Sequence, residues 1–416
     1  MKKKSKKKSF KQRWSRFKKT LFGDDASKNS FSIFEVIIII LISILFGVII
    51  GYLLSFSKSA PSSIKDSDNM SEIIDTYNDI LNNYYGEVDS DALKDGAIQG
   101  MIRSLKDPYS IYMDQDTTVN FQDTVDGSFV GIGVRILYKD SYNEVIEVFE
   151  NGPAEKAGLQ IGDIIKKVDG EDVEGIVGAD LSKKIRGEKG TKVVLTILRE
   201  DEEMEITVKR DVVELKSVTS TTFDDVGYIK IDSFATNTAS QFQEELAQLE
   251  KESIHGLIID VRGNPGGHLL QTRQMLSMFF PKKTVLYQIE SKNKKTKVTS
   301  NTKETRDYPV VILIDSGSAS AAEVFASCFQ DNYKEVTIIG VTSYGKGTVQ
   351  KSETYSNGSS IKYTTQKWLT SKGEWLNEKG VTPDIEVEQS DEYVEDPIYE
   401  KDAQLQAGIQ KIKESK

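Results

Sequence analysis

The sequence predicts an α/β multidomain chain behind an N-terminal transmembrane helix, and three observations carry that expectation. Val36–Leu54 is a run of nineteen residues without a charge, VIIIILISILFGVIIGYLL. Between Gly127 and Arg210, short strand-like runs are broken by glycine turns. Beyond Arg210, apolar β-type runs alternate with amphipathic helical ones, the pattern of a buried, largely parallel sheet covered by helices.

The first element follows from charge. Of 54 Lys or Arg and 64 Asp or Glu in 416 residues, residues 1–33 hold twelve and two, leaving 42 and 62 for the remainder. At about 1.5 Å rise per residue the charge-free run nearly crosses a hydrocarbon core of about 30 Å. Basic flanks stay in the cytoplasm, so residues 1–35 are expected inside, 36–56 in the membrane, and everything after them outside. A cleaved signal peptide is the rival reading, but its apolar region is normally about 7–15 residues with a small-residue cleavage site. This run is longer, and Ser57-Lys58-Ser59-Ala60 is a poor cleavage signal. Gly47 and Gly51 give the small-xxx-small spacing that lets two helices approach, one route to a homodimer. The acidic bulk excludes nucleic acid as a partner, because phosphate neutralisation needs a basic surface.

Residues 57–71 are polar and Ser-rich and read as a linker. Over 72–125 a small helical region is expected. Ile73, Ile74, Tyr77, Ile80, Leu81 and Tyr84 recur at helical spacing, and a second amphipathic segment, Ala92–Leu105, stops before Asp107-Pro108. Over 126–210, strands are expected at Phe129–Leu137, Val145–Val148, Ile164–Val168 and Lys192–Leu198, with short helices near Pro153–Ala157 and Ala179–Ile185. Over 211–390, strands at Gly227–Ile231, Gly256–Val261, Pro309–Asp315 and Thr337–Val341 alternate with helices at Ala239–Glu250, Leu269–Phe280 and Ala319–Phe329. The tail, 391–416, holds a last helix, Ala403–Ile412. The single Cys328 excludes an intrachain disulfide and reads as a small core residue. No residue cluster has metal-ligand spacing, so neither metal nor cofactor is expected.

Chemistry can reside where buried strands run into glycine turns. Val310–Ile314 leads into Asp315-Ser316-Gly317-Ser318-Ala319-Ser320-Ala321-Ala322-Glu323, which places hydroxyls at a helix amino end. Free amides there suit an oxyanion, although, taken alone, the pattern reads better as Ser318 or Ser320 simply capping the helix. A serine nucleophile needs a base. The histidines are His255, just before an apolar strand, and His268, after Gly266-Gly267. The other candidate is Lys346 in Tyr344-Gly345-Lys346-Gly347-Thr348-Val349-Gln350, because burial can hold a lysine neutral. A further glycine cluster, Asp260-Val261-Arg262-Gly263-Asn264-Pro265-Gly266-Gly267, ends another buried strand and could serve as an oxyanion loop or a plain turn.

Those clusters, in that order, resemble the C-terminal processing (tail-specific) peptidases of bacteria. The strings SGSASAAE, DVRGNPGG, YGKGTVQ and GVTPDIEV carry the likeness, which spans about residues 72–410. The resemblance implies Ser320 as nucleophile, Lys346 as general base and Gln350 as the residue that holds the lysine. It implies an oxyanion hole from the amides of Gly267 and Ala321. The family usually has Ala-Ser-Glu after the nucleophile where this chain has Ala321-Ala322-Glu323, a change that removes a hydroxyl other than the nucleophile's. The unit 126–210 resembles the family's PDZ domain, since Gly131-Ile132-Gly133-Val134 is followed by PAEKAGLQIGDIIKKVDG. Its amides would grip a terminal carboxylate while the peptide adds as a strand. The implied function is a Ser–Lys endopeptidase acting outside the membrane on polypeptides with free, nonpolar C-termini. Two other readings are a PDZ scaffold with an inactive core, and a hydrolase that uses His268.

Overall fold

The computed structural model describes residues 15–16, 67–139 and 141–415. The expected transmembrane run and residues 57–66 of the linker lie outside the described residues, among which no helix is long and apolar enough to cross a membrane. The chain divides into two compact units, residues 1–93 and 94–416. Helix α1 (Ser67–Asn83) starts within the expected linker, five residues before the helical region expected from Glu72, and α2 is Ser90–Arg103. Next come β1 (Ile111–Met113) and α3 (Gln115–Asp126), which no sequence signal marked. Asp114 caps α3 by accepting from Thr117 N at 2.8 Å.

The strand-rich unit comprises β2 (Ser128–Gly131), β3 (Val134–Lys139), β4 (Tyr142–Val148), α4 (Pro153–Ala157), β5 (Ile164–Val168), β6 (Glu171–Asp172), α5 (Gly178–Ile185), β7 (Lys192–Arg199), β8 (Glu202–Lys209) and β9 (Asp211–Glu214). Its main sheet runs β3-β4-β5-β7-β8, and β2 pairs separately with β9. The single strand expected over Phe129–Leu137 is therefore two, parted where Gly133 adopts φ 79°, a left-handed conformation that only glycine takes without strain. Val145, Ile165, Val193, Leu195, Ile197 and Val208 form the core beneath Leu181 and Ile185 of α5. Lys183 and Arg186, on and just after α5, pair with Asp116 and Asp123 of α3.

The larger unit continues with β10 (Val218–Phe223), β11 (Val226–Ile231), α6 (Thr238–Lys251), β12 (Gly256–Asp260), α7 (Leu269–Leu276), β13 (Val285–Ser291), β14 (Lys294–Thr299), β15 (Val310–Ile314), α8 (Ala321–Asn332), β16 (Val336–Gly340), β17 (Thr348–Thr354), β18 (Ser360–Leu369), β19 (Ile385–Glu386), α9 (Asp391–Glu395) and α10 (Ala403–Lys413). A six-stranded sheet, β10-β11-β12-β15-β16-β19, is parallel except for β10 against β11. Period-two alternation gives each face its own core. Leu257, Ile259, Val310, Ile312 and Ile314 pack with Phe242 of α6, Met275 of α7, and Phe325 and Phe329 of α8. Ile258, Val311, Leu313 and Ile339 pack with Leu405, Ile409 and Ile412 of α10. Burial on both faces explains why these strands read as unbroken apolar runs. A second, antiparallel sheet joins β1, β18, β13 and β14, with β17 also on β18.

Candidate active site

Strands β12, β15 and β16 are neighbours in the sheet and all parallel. Their carboxyl ends therefore lie along one edge, where α/β sheets build their sites. The turns leaving those ends are the three clusters singled out in the sequence: 261–267, 315–320 and 341–347. Topology alone brings together segments far apart in the chain.

Ser320 is the N-cap of α8, with φ 54° and ψ −112°. A serine held at positive φ costs on the order of 1–3 kcal/mol and persists only where its surroundings impose it. Here they do. Ser320 N donates to the Glu323 carboxylate at 2.7 Å, and Ala319 N donates to Asn264 O at 2.9 Å. Gly266, at φ 101°, lies so close that a Cβ there would stand 2.9 Å from both Ser320 Cβ and Ala321 N. Only glycine fits, so the second glycine cluster is seated directly against the candidate nucleophile. The amides of Gly267 and Ala321 donate to no acceptor among the described residues, which leaves both available to an oxyanion. Ser318, the other hydroxyl in the turn, is fully buried and donates to Val261 O at 2.8 Å. It is structural.

Glu323 is the residue the sequence reading passed over. Its side chain is fully buried. One oxygen accepts from Ser343 Oγ and Gly345 N, each at 2.6 Å, and the other from Ser320 N at 2.7 Å and Lys346 N at 2.8 Å. A single carboxylate thus fastens the serine turn to the lysine loop. The signal was its place three residues after Ser320, the spacing of a capping box.

The Lys346 backbone is pinned from both sides, since its carbonyl accepts from Nε1 of the buried Trp368 at 2.7 Å. Burial first, and then the charge of Lys362, push the Lys346 amine below the ordinary lysine range. The carboxylates of Asp107 and Glu323 pull it the other way. Burial lowers Lys362 as well, and its Nζ lies 4.7 Å from the Phe121 ring centroid. Lys346 Nζ stands 4.8 Å from the centroid of Tyr109 and makes no hydrogen bond to Ser320 Oγ. Gln350, on β17, donates its amide to the hydroxyls of Thr348 and Thr364 at 2.9 and 3.0 Å, and not to Lys346. His268 caps α7, and its Nε2 is buried without a hydrogen-bond partner. Among the described residues no group of His, Cys, Asp or Glu could hold a metal ion.

The loop Gly131–Val134 joins β2 to β3. Its carbonyls are used internally, Ile132 O by Ala154 N at 2.7 Å and Gly133 O by Phe149 N at 3.1 Å. The amides of Ile132 and Gly133 donate to nothing among the described residues, as a carboxylate-binding loop requires. Elsewhere, Arg262 forks between Asp260 at the end of β12 and Asp402 ahead of α10, at 2.6 and 2.7 Å. That buried clamp fixes the start of the Gly266-Gly267 turn.

The sequence is similar to that of known proteins. The model of peptidase family S41 matches residues 225–387, that of a PDZ domain 144–199, and that of the activating protease CtpB N-terminal domain 54–117. The chain is 40% identical over 335 residues to the carboxy-terminal processing protease CtpA of Bacillus subtilis, covering 80% of this chain and 72% of that one. It is 39% identical over 339 residues to CtpB of the same organism, covering 79% and 70%. A probable CtpA-like serine protease of Staphylococcus saprophyticus is 37% identical, with 77% and 66% covered. On likeness of this extent, the chain belongs to the C-terminal processing proteases, PDZ-containing serine peptidases of family S41.

Proposed function

We propose that the chain is a membrane-anchored, extracytoplasmic endopeptidase that cuts polypeptides near free, nonpolar C-termini with a Ser320–Lys346 dyad. The observation that carries this reading is the convergence of the serine turn, the Gly266-Gly267 turn and the lysine loop on one sheet edge, with Glu323 tying the first to the last.

In this mechanism neutral Lys346 takes the Ser320 hydroxyl proton as Oγ bonds to the scissile carbonyl carbon. The Gly267 and Ala321 amides receive the negative oxygen, a few kcal/mol of stabilisation for each donor. The C–N bond breaks as Lys346 passes the proton to the leaving amine. Water, deprotonated by the same lysine, attacks the acyl carbon, and the lysine returns that proton to Ser320 Oγ as the C–Oγ bond breaks and the acid leaves. Gln350, bonded to Thr348 and Thr364 in the present arrangement, would turn to Lys346 during the cycle. The Gly131–Val134 loop offers amides to the substrate's terminal carboxylate.

Peptides of one sequence with a free or an amidated nonpolar C-terminus test the specificity. The free form should be cleaved with kcat/KM about tenfold to a hundredfold higher, the worth of charge-assisted hydrogen bonds to a carboxylate. Equal rates would remove the carboxylate-binding role of the loop. The location rests on the basic segment and the charge-free run. Protease added outside intact cells should degrade residues beyond 57 and spare an amino-terminal tag. Mature protein free in the medium and beginning after Ala60 would overturn the anchor.

A further inference from the structure

Tyr109 lies in the turn Asp107-Pro108-Tyr109-Ser110, which is tied down on both sides. Tyr109 N and Ser110 Oγ donate to the Asp107 carboxylate at 3.1 and 2.5 Å, and Thr364 N of β18 donates to Ser110 Oγ at 3.2 Å. β1 then pairs with β18, Ile111 opposite Lys362. The turn therefore delivers the Tyr109 ring over Lys346, whose Nζ sits 4.8 Å from the ring centroid. An ammonium is attracted to the face of an aromatic ring, whereas a neutral amine gains little there. Among the described residues no hydrogen bond holds Nζ: neither Ser320 Oγ nor Gln350 bonds it, and the Gln350 amide is committed to two threonines.

We propose that Tyr109 is a positioning residue for the general base: its ring holds the Lys346 amine in the charged form and away from Ser320, and turnover requires the amine to leave it. The proposal rests on the Ser–Lys reading above. The charged and titratable groups facing that amine are Lys362 on β18, Glu323 on α8, Asp107 in the same turn and Tyr109 itself. Burial, followed by a hydrogen bond with Tyr344, pushes the Tyr109 hydroxyl up to about 12. The residue is thus a neutral phenol throughout the working range and acts through its face.

The test is the pH dependence of kcat/KM, which reports the free enzyme's essential groups. The full chain in detergent is compared with Tyr109→Phe and Tyr109→Leu on a peptide with a free nonpolar C-terminus. Phe keeps the ring and should keep the acid limb. Leu removes it and should move the acid limb down by about half to one pH unit, raising kcat/KM several-fold below the limb. Tyr109→Met, more adaptable in packing, must move it the same way, which keeps the test decisive if the Leu variant folds poorly. A limb that stays put or rises in both apolar variants overturns the proposal, as does a Phe variant that behaves like Leu. Lys346→Ala separates the two layers. Activity retained there sinks the dyad and this inference together, whereas an inactive Lys346→Ala with an unmoved Leu limb sinks only the role of Tyr109.

Discussion

Lys346→Arg should yield a folded protein whose kcat is lower by about 10⁴-fold or more, the scale seen when one member of a catalytic unit is removed. Guanidinium stays protonated at any working pH, so it cannot accept the serine proton. The native amine can, because burial and Lys362 together depress it. Lys346→Ala and Ser320→Ala should fall equally far, and the double variant no further, since the pair acts as a unit. The sign of the pH dependence follows. With Lys346 as the proposed base, activity should require the neutral amine, rising with pH through the depressed lysine pKa and falling on acidification. His268→Ala should change little. Peptide cleavage followed by mass spectrometry checks all of these, and appreciable turnover by the arginine variant would send the search for a base back to His268.

Glu323→Gln should also be damaging, though less so, because its buried side chain fastens the serine turn to the lysine loop. Each carboxylate oxygen takes two donors: Ser343 Oγ and Gly345 N on one, Ser320 N and Lys346 N on the other. Whichever way a glutamine amide is turned, its NH₂ faces two of those donors. Each buried group left without a partner costs about 1–3 kcal/mol, so the melting temperature should drop by several degrees. In one orientation the orphaned amides are those of the candidate nucleophile and base themselves, and in the other Gly345 N, beside the base, loses its acceptor. Activity should therefore fall about a hundredfold, more than the lost stability explains. A glutamine variant with near-native kcat would show that the serine turn holds its strained shape without the carboxylate.

Much of this was legible because buried parallel strands cannot hide. Val310–Ile314 and Gly256–Asp260 are buried at every position, and such runs followed by glycine clusters mark both sheet and site. The antiparallel sheet escaped notice because its strands are half solvated. β14 is KKTKVT, and most of β17 is exposed, so charge masks the alternation. α3 is polar for a related reason, being held by ion pairs to the strand-rich unit as well as by packing. Tyr109 and Glu323 were missed on different grounds. A residue's helix-capping signature does not reveal that it will also bond a loop twenty residues on, and the contact of Tyr109 with Lys346 exists only after β1 has found β18. Short-range pattern identifies the groups that react, and long-range pairing identifies those that aim them.

The clamp between Arg262 and Asp402 bears on how such an enzyme is made. Synthesis proceeds from the amino end, yet the turn carrying Gly266 and Gly267 is fixed by a carboxylate encoded some 140 positions later. Until α10 has docked, Arg262 holds only the Asp260 half of its clamp, and until β16 joins β15 the lysine loop has no place beside Ser320. Contacts of such sequence separation form late because loop closure must precede them. A partly emerged chain consequently lacks an assembled candidate site. Hydrolytic power arrives only when nearly the whole of residues 107–413 has closed.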